Sequence, residues 1–179
     1  MELEAATQID GWLAELELTP TERVERDGAT AWDIVLDGRR RRQLRMTLIH
    51  DPSVGLVCWA QMAPQLSDGF RKTYRQLLRW NDELPFAKFA ISEDDRPILS
   101  LETAASEPVT RDSLGLLIAK SLAITDLLHD QAVTLMGDLR RRQFDIARES
   151  DPDPAGVRLL DRYHEELVEF RSGEAVPSR

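Results

Sequence analysis

The side chains that could carry catalysis in this sequence are few and scattered. Its single cysteine, Cys58, lies in the apolar run 54–60, where a packed, unreactive thiol is expected rather than a nucleophile. His50, His129 and His164 share no metal-ligand spacing with one another or with Cys58. His164-Glu165-Glu166 lacks the second histidine that a zinc-protease helix requires. Carboxylates are densest at Glu93-Asp94-Asp95 and at Asp151 and Asp153. A catalytic pair needs burial to drive two pKa values apart, and both clusters read as solvated turns. There is no Gly-centred calcium loop, phosphate loop or nucleophile elbow. The expectation is a non-enzyme with no cofactor and no metal.

Two other residue types invite binding rather than catalysis. Arg39, Arg40, Arg41 and Arg42, followed by Arg45, concentrate positive charge at a hairpin that could grip phosphate or an acidic peptide. The plainer reading is a solvated turn whose charges also discourage edge-to-edge aggregation. Arg140-Arg141-Arg142 forms a second cluster, expected on a helix and facing solvent or pairing with Glu165 and Glu166. Tryptophan supplies large buried area in a core and dominates interfaces when exposed. Trp32 and Trp59 fall on strands, Trp12 and Trp80 on helices. Trp59 is the best interface candidate, because Val54, Leu56 and Cys58 already fill the opposite face of its strand. Val57, Trp59 and Trp32 form the candidate client-binding set.

These residues must be positioned by a chain of 179 residues with 42% hydrophobic and 31% charged content, the profile of an ordinary globular protein. The net charge of −9 makes nucleic acid an unlikely default partner and disfavours anionic membrane. The acidic start Met1-Glu2-Leu3-Glu4 and the absence of a long apolar run lead to an expected cytoplasmic location.

Helical spacing at Ile9, Trp12, Leu13 and Leu16 predicts an amphipathic first helix, ended at Thr19-Pro20-Thr21. Alternation then takes over in Trp32, Ile34 and Leu36 and again in Leu44, Met46 and Leu48, predicting half-buried strands. Asp27-Gly28 and Asp37-Gly38 supply glycines for turns with positive φ. The run 54–62 is apolar on both faces and predicts a central strand; a strand near 23–26 is the weakest of the set. Residues 67–82 predict a helix capped by Ser67, with Phe70, Tyr74, Leu77 and Leu78 as its apolar stripe and Arg71, Arg75 and Arg79 on a solvated face. Two strands, 86–91 and 98–101, flank a polar turn, with Pro97 opening the second. A helix capped by Thr110 follows. Its pattern runs on to Ile146, so it either breaks near 129–137 or packs its far end on a partner. A last helix is expected over 155–170, and residues after Ser172 are read as disordered.

The predicted fold is therefore α+β, an antiparallel sheet with flanking helices in the order α-β-β-β-α-β-β-α, plus a helical C-terminal extension. The domain boundaries are set at 1–138 and 139–179.

The run Leu77-Leu78-Arg79-Trp80-Asn81-Asp82-Glu83-Leu84-Pro85-Phe86-Ala87-Lys88-Phe89-Ala90-Ile91 resembles the middle of YbjN-like proteins, as do the acidic turn and strand over 93–102. The element order is similar over 9–128, and the part from about Leu139 departs from the pattern. That family resembles type III secretion chaperones and Tir-chaperone-like proteins in fold. Those proteins are acidic, usually homodimeric, and bind unfolded segments of client proteins. The resemblance implies a chaperone-like or regulatory module and no catalytic residue. It also implies a homodimer, although amphipathic C-terminal helices can equally pack within one chain. Read on its residues alone, the motif needs only a structural role, with Asn81 suited to a left-handed or capping conformation.

Two functions follow as expectations. One is binding of a protein or peptide client on an apolar sheet or helix face. The other is recognition of nucleic acid or an acidic partner through the hairpin 39–45.

Overall fold

In a computed structural model of the chain, residues 2–63, 71–134 and 153–172 are described. The expected boundary at 138/139, the Ser67 cap, the Arg140-Arg141-Arg142 cluster and the tail after Ser172 lie outside them. The chain opens with helix α1 (Glu2–Glu15) and four strands, β1 (Glu22–Arg26), β2 (Ala29–Leu36), β3 (Leu44–Asp51) and β4 (Gly55–Gln61). Helix α2 (Arg71–Glu83), strands β5 (Lys88–Ile91) and β6 (Pro97–Glu102) and helix α3 (Arg111–Leu127) follow. Helices α4 (His129–Thr134), α5 (Pro154–Arg162) and α6 (His164–Ser172) complete the described chain. The class is α+β, and β1 makes the first strand block four rather than three. All pairings are antiparallel in the sheet order β1-β2-β3-β4-β6-β5, which puts β4 inside the sheet.

Alternation sets two faces. Trp32, Ile34 and Leu36 of β2, Leu44, Met46 and Leu48 of β3, and Leu56, Cys58 and Ala60 of β4 point to one core. Leu99 and Leu101 of β6 and Phe89 of β5 extend it. Helix α3 buries Leu114, Leu117, Ile118 and Leu122 in the same cluster, together with Ile9 and Leu13 of α1. Leu159, Leu160 and Tyr163 of the C-terminal helices join it as well. Helix α5 lies so close that a Cβ on Gly156 would run into the carbonyl oxygen of Asp37.

Local chemistry accounts for the boundaries. Asp27 and Gly28 both have positive φ (52° and 83°), as the tight β1–β2 turn requires. Thr110 caps α3 through a reciprocal box with Ser113. That helix stops at Leu128 instead of running on. Asp153 caps α5, whose first residue is Pro154. The expected single last helix is split at Tyr163.

Helix α2 is turned from its predicted orientation. Its buried residues are Thr73, Leu77 and Trp80, spaced i, i+4 and i+7, while Tyr74 and Leu78 face out. The larger payload of Trp80 decides the rotation. Its ring packs on Phe89 with centroids 5.2 Å apart, and its indole N–H donates to Gln131 Oε1 at 2.7 Å. Next to it, Asn81 grips β5 at both ends of its amide. Oδ1 accepts the Phe89 N–H (2.7 Å), and Nδ2 donates to the Phe89 carbonyl (2.9 Å). The conspicuous 77–91 stretch thus clips a helix to a strand. Asn81 does this by side-chain bonding, without the left-handed conformation its type suggested.

Candidate functional site

The described helices pack against the inner face, which leaves the outer face of the sheet to solvent. One row across it runs Val24, Ala31, Ile49, Val57 and Glu102. The adjacent row runs Glu22, Asp33, Thr47, Trp59, Ser100 and Lys88. With strands about 4.8 Å apart, a row of six side chains spans roughly 24 Å. Trp59 is 42% exposed near the middle of the second row, and Val57 beside it is half-buried. Val24 and Val35 add exposed apolar surface toward the β1 side. Two polar pairs lie on this face. The Thr47 hydroxyl donates to Asp33 Oδ1 (2.6 Å), and Lys88 bonds Glu102. An exposed tryptophan in a polar row, beside a row carrying Val24, Ala31, Ile49 and Val57, has the mixed composition of a docking patch. The edge strand β1 (Glu-Arg-Val-Glu-Arg) is exposed throughout and charged, which discourages pairing of another strand there.

Trp32 does not belong to this patch. It is 0% exposed on the inner face, its indole N–H donates to Asp10 Oδ1 (2.6 Å), and Arg23 covers its ring. Its strand position has the opposite parity to the outer rows, so it is a core residue and Val57 and Trp59 remain together without it.

The arginine hairpin is engaged with the chain's own carboxylates. Asp126, at the end of α3, accepts the backbone N–H groups of Arg39, Arg40 and Arg41 at 2.7, 2.9 and 2.7 Å. Gly38 is required for this approach, because a Cβ there would stand 2.6 Å from Asp126 Oδ1. Its φ is not positive, contrary to the expected hairpin glycine; Gln43 takes the left-handed conformation instead, at 48°. Arg39 pairs with Asp161 of α5 and Arg40 with Asp130 of α4, each at 2.5 Å. The hydrogen bond to Asp130 raises the Arg40 pKa. Arg41 is buried, and burial lowers its guanidinium pKa to about 10 against the opposing pull of Asp126. Arg42 donates to the Gly38 carbonyl (3.1 Å), and Arg45 lies exposed on the outer sheet face opposite Val35. Asp37 of the same loop accepts the Asp153 N–H at 2.9 Å. These bonds fasten the β2–β3 loop to α3, α4 and α5, partners far away in sequence.

Cys58 is fully buried beneath α3, where it accepts from the Ser121 hydroxyl at 3.3 Å, and burial pushes its thiol pKa up to about 12. A thiol so held is protonated at neutral pH and has no nucleophilic form. His50, His129 and His164 stand on β3, α4 and α6, and no group of three or more His, Cys, Asp or Glu among the described residues could hold a metal ion. No described helix is long and apolar enough to cross a membrane.

Residues 5–132 match the sequence model of YbjN, described as "Putative bacterial sensory transduction regulator". The chain belongs to the YbjN family. No curated protein and no solved structure matches it. The YbjN match takes in the whole sheet, the outer-face rows, the Asn81 clip and α3, and it ends inside α4. Helices α5 and α6 lie beyond it. Sequence reasoning missed this division of labour in the hairpin 39–45, since nothing near the arginines announces Asp126, Asp130 and Asp161.

Proposed function

We propose that this YbjN-family chain is a non-enzymatic regulatory module, cytoplasmic and chaperone-like, that holds a protein client on the outer face of its sheet around Val57 and Trp59. The observation that carries the reading is the large exposed indole of Trp59 in a two-row apolar and polar patch, on the face opposite the described helices. The family's description as a sensory transduction regulator supports the regulatory part of this reading; the chaperone-like part rests on the resemblance drawn from the sequence. An extended segment or an amphipathic helix could lie along the rows, with Trp59 as anchor. A second copy of the chain is the competing occupant of the same face. Recognition of nucleic acid or an acidic partner through the hairpin 39–45 has less support, because Arg39 and Arg40 are paired internally and Arg41 is buried.

The test compares the tagged wild-type chain with a Trp59→Asp variant shown by urea unfolding to be folded, both recovered from host lysate with and without nuclease. The reading expects one or a few proteins present with the wild type, lost with the variant and indifferent to nuclease. Equal recovery by both chains overturns it. Loss on nuclease treatment transfers the weight to the arginine hairpin.

A further inference from the structure

A second, separate surface lies on helix α3. Its core-facing side carries Leu114, Ile118 and Leu122. Elsewhere on the helix, Ser113, Leu116, Lys120, Ala123 and Leu127 line a groove of about 1110 Å³. Their successive separations of 3, 4, 3 and 4 residues put them on one side of the helix, where Leu116, Ala123 and Leu127 are the apolar members of a seam that also carries Ser113 and Lys120. The seam runs about 21 Å, close to four turns. Leu84-Pro85-Phe86 forms the facing wall, and Leu101 and Ile124 also line the space. Leu127 is 44% exposed and Phe86 43%, so apolar side chains on both sides meet water. Pockets for small ligands hold roughly 300–1,000 Å³ and enclose what they bind; this trough is larger and has exposed walls.

What already enters the groove shows the chemistry it accepts. Phe170 of α6 sets its ring 4.2 Å from that of Phe86, with Lys120 Nζ 5.0 Å from the Phe170 centroid. The other groove-lining residues fall within the family-matched span, whereas Phe170 comes from beyond it. The remaining charge is acidic. Glu83 and Glu107 line the groove with no ion pair to a described residue, while Glu102 is already bonded to Lys88.

We infer that this groove is the docking site for an amphipathic helix of a partner protein, one with an aromatic or leucine seam at 3–4 spacing and basic flanks, and that Phe170 competes with it for one end. The seam spacing selects a helix, and the carboxylates of Glu83 and Glu107 select basic flanks. A fatty acid would set its carboxylate among Glu83 and Glu107 with Lys120 as the available counter-ion, so oleate is the competing occupant that the test must exclude. This site shares only Glu102 with the outer-face rows and does not rest on the reading given for them.

The experiment uses the full chain and a fluorescent synthetic peptide about four turns long, with Leu and Phe at 3–4 spacing and Lys elsewhere. Its counterpart carries Glu in place of Lys, and binding is read by anisotropy. The lysine peptide is expected to bind roughly tenfold or more tightly than the glutamate peptide. Phe170→Ala should tighten binding several-fold, whereas Ala123→Arg and Leu127→Lys should remove it and Trp59→Asp should leave it unchanged. Leu127 is exposed, so Leu127→Lys keeps the test sound should Ala123→Arg fail to fold. Equal binding of the two peptides overturns the inference. So does binding that survives in a folded Leu127→Lys variant, or that disappears with Trp59→Asp. Displacement by oleate with no peptide binding makes the groove a lipid site and overturns it too.

Discussion

Trp32 and Trp59 stand on one sheet two strands apart, and their surroundings are opposite. Trp32 is closed in beneath α1, with Asp10 taking its indole proton and Arg23 over its ring. Trp59 lies in the open between Thr47 and Ser100. The inner face is apolar along β2, β3, β4 and β6, whereas on the outer face Trp59 shares its row with Glu22, Asp33, Thr47, Ser100 and Lys88. For the apolar residues on either side, the difference is cover. The inner face is shut by helices that the β2–β3 loop fastens down through Asp126, Asp130 and Asp161. An apolar side chain under that cover packs in the core, and Trp59 on the other face meets solvent.

The sharpest way to break this contrast is to remove each tryptophan. Trp32→Ala should cost about 3–5 kcal/mol in urea unfolding, through lost burial and a cavity. A loss below about 1 kcal/mol would mean the faces do not differ as described. Asp126→Ala comes next. It strips the acceptor from three backbone N–H groups and removes a carboxylate that favours the charged form of the buried Arg41. About 3 kcal/mol is expected, together with faster amide exchange in α5 than in the strands. Uniform exchange across the chain would show that the loop does not hold that helix. Trp59→Asp should cost about 1–2 kcal/mol, from lost half-buried area and poor strand propensity at a position 42% exposed, well below the cost of Trp32→Ala, so that the variant stays folded for binding tests.

The smallest effect is chemical. With its thiol pKa pushed up to about 12 by burial, Cys58 should take no iodoacetamide at neutral pH until the chain is unfolded, by intact mass. A Trp59→Cys variant should gain one adduct while folded. Labelling of native wild-type protein would contradict the closed inner face.

Much of this was legible in the residues. The alternation of Trp32, Ile34 and Leu36 located β2, Thr110 announced the start of α3, and the 77–91 stretch pointed to the family. Less visible was which side of an element would be covered. In β4 both parities are apolar, so the exposure of Trp59 depends on where α1 and α3 lie. In α2 the polar Thr73 is buried and the apolar Leu78 is exposed, because Trp80 fixes the rotation from the far end of the helix. The arginines were visible as a cluster, but the carboxylates that hold Arg39, Arg40 and Arg41 sit 85 or more residues away, and no local pattern encodes such a contact. Gly38 looked like a turn residue and proves to be a gap for the Asp126 carboxylate.

The most direct test of the outer face as the client surface is site-specific photocrosslinking in the native host. A benzoylphenylalanine placed at Trp59 on the sheet is compared with one placed at Leu78, which is exposed on α2. The account predicts a discrete heterologous adduct from position 59 and none from position 78. Adducts from position 78 alone, or the same adducts from both, would contradict it.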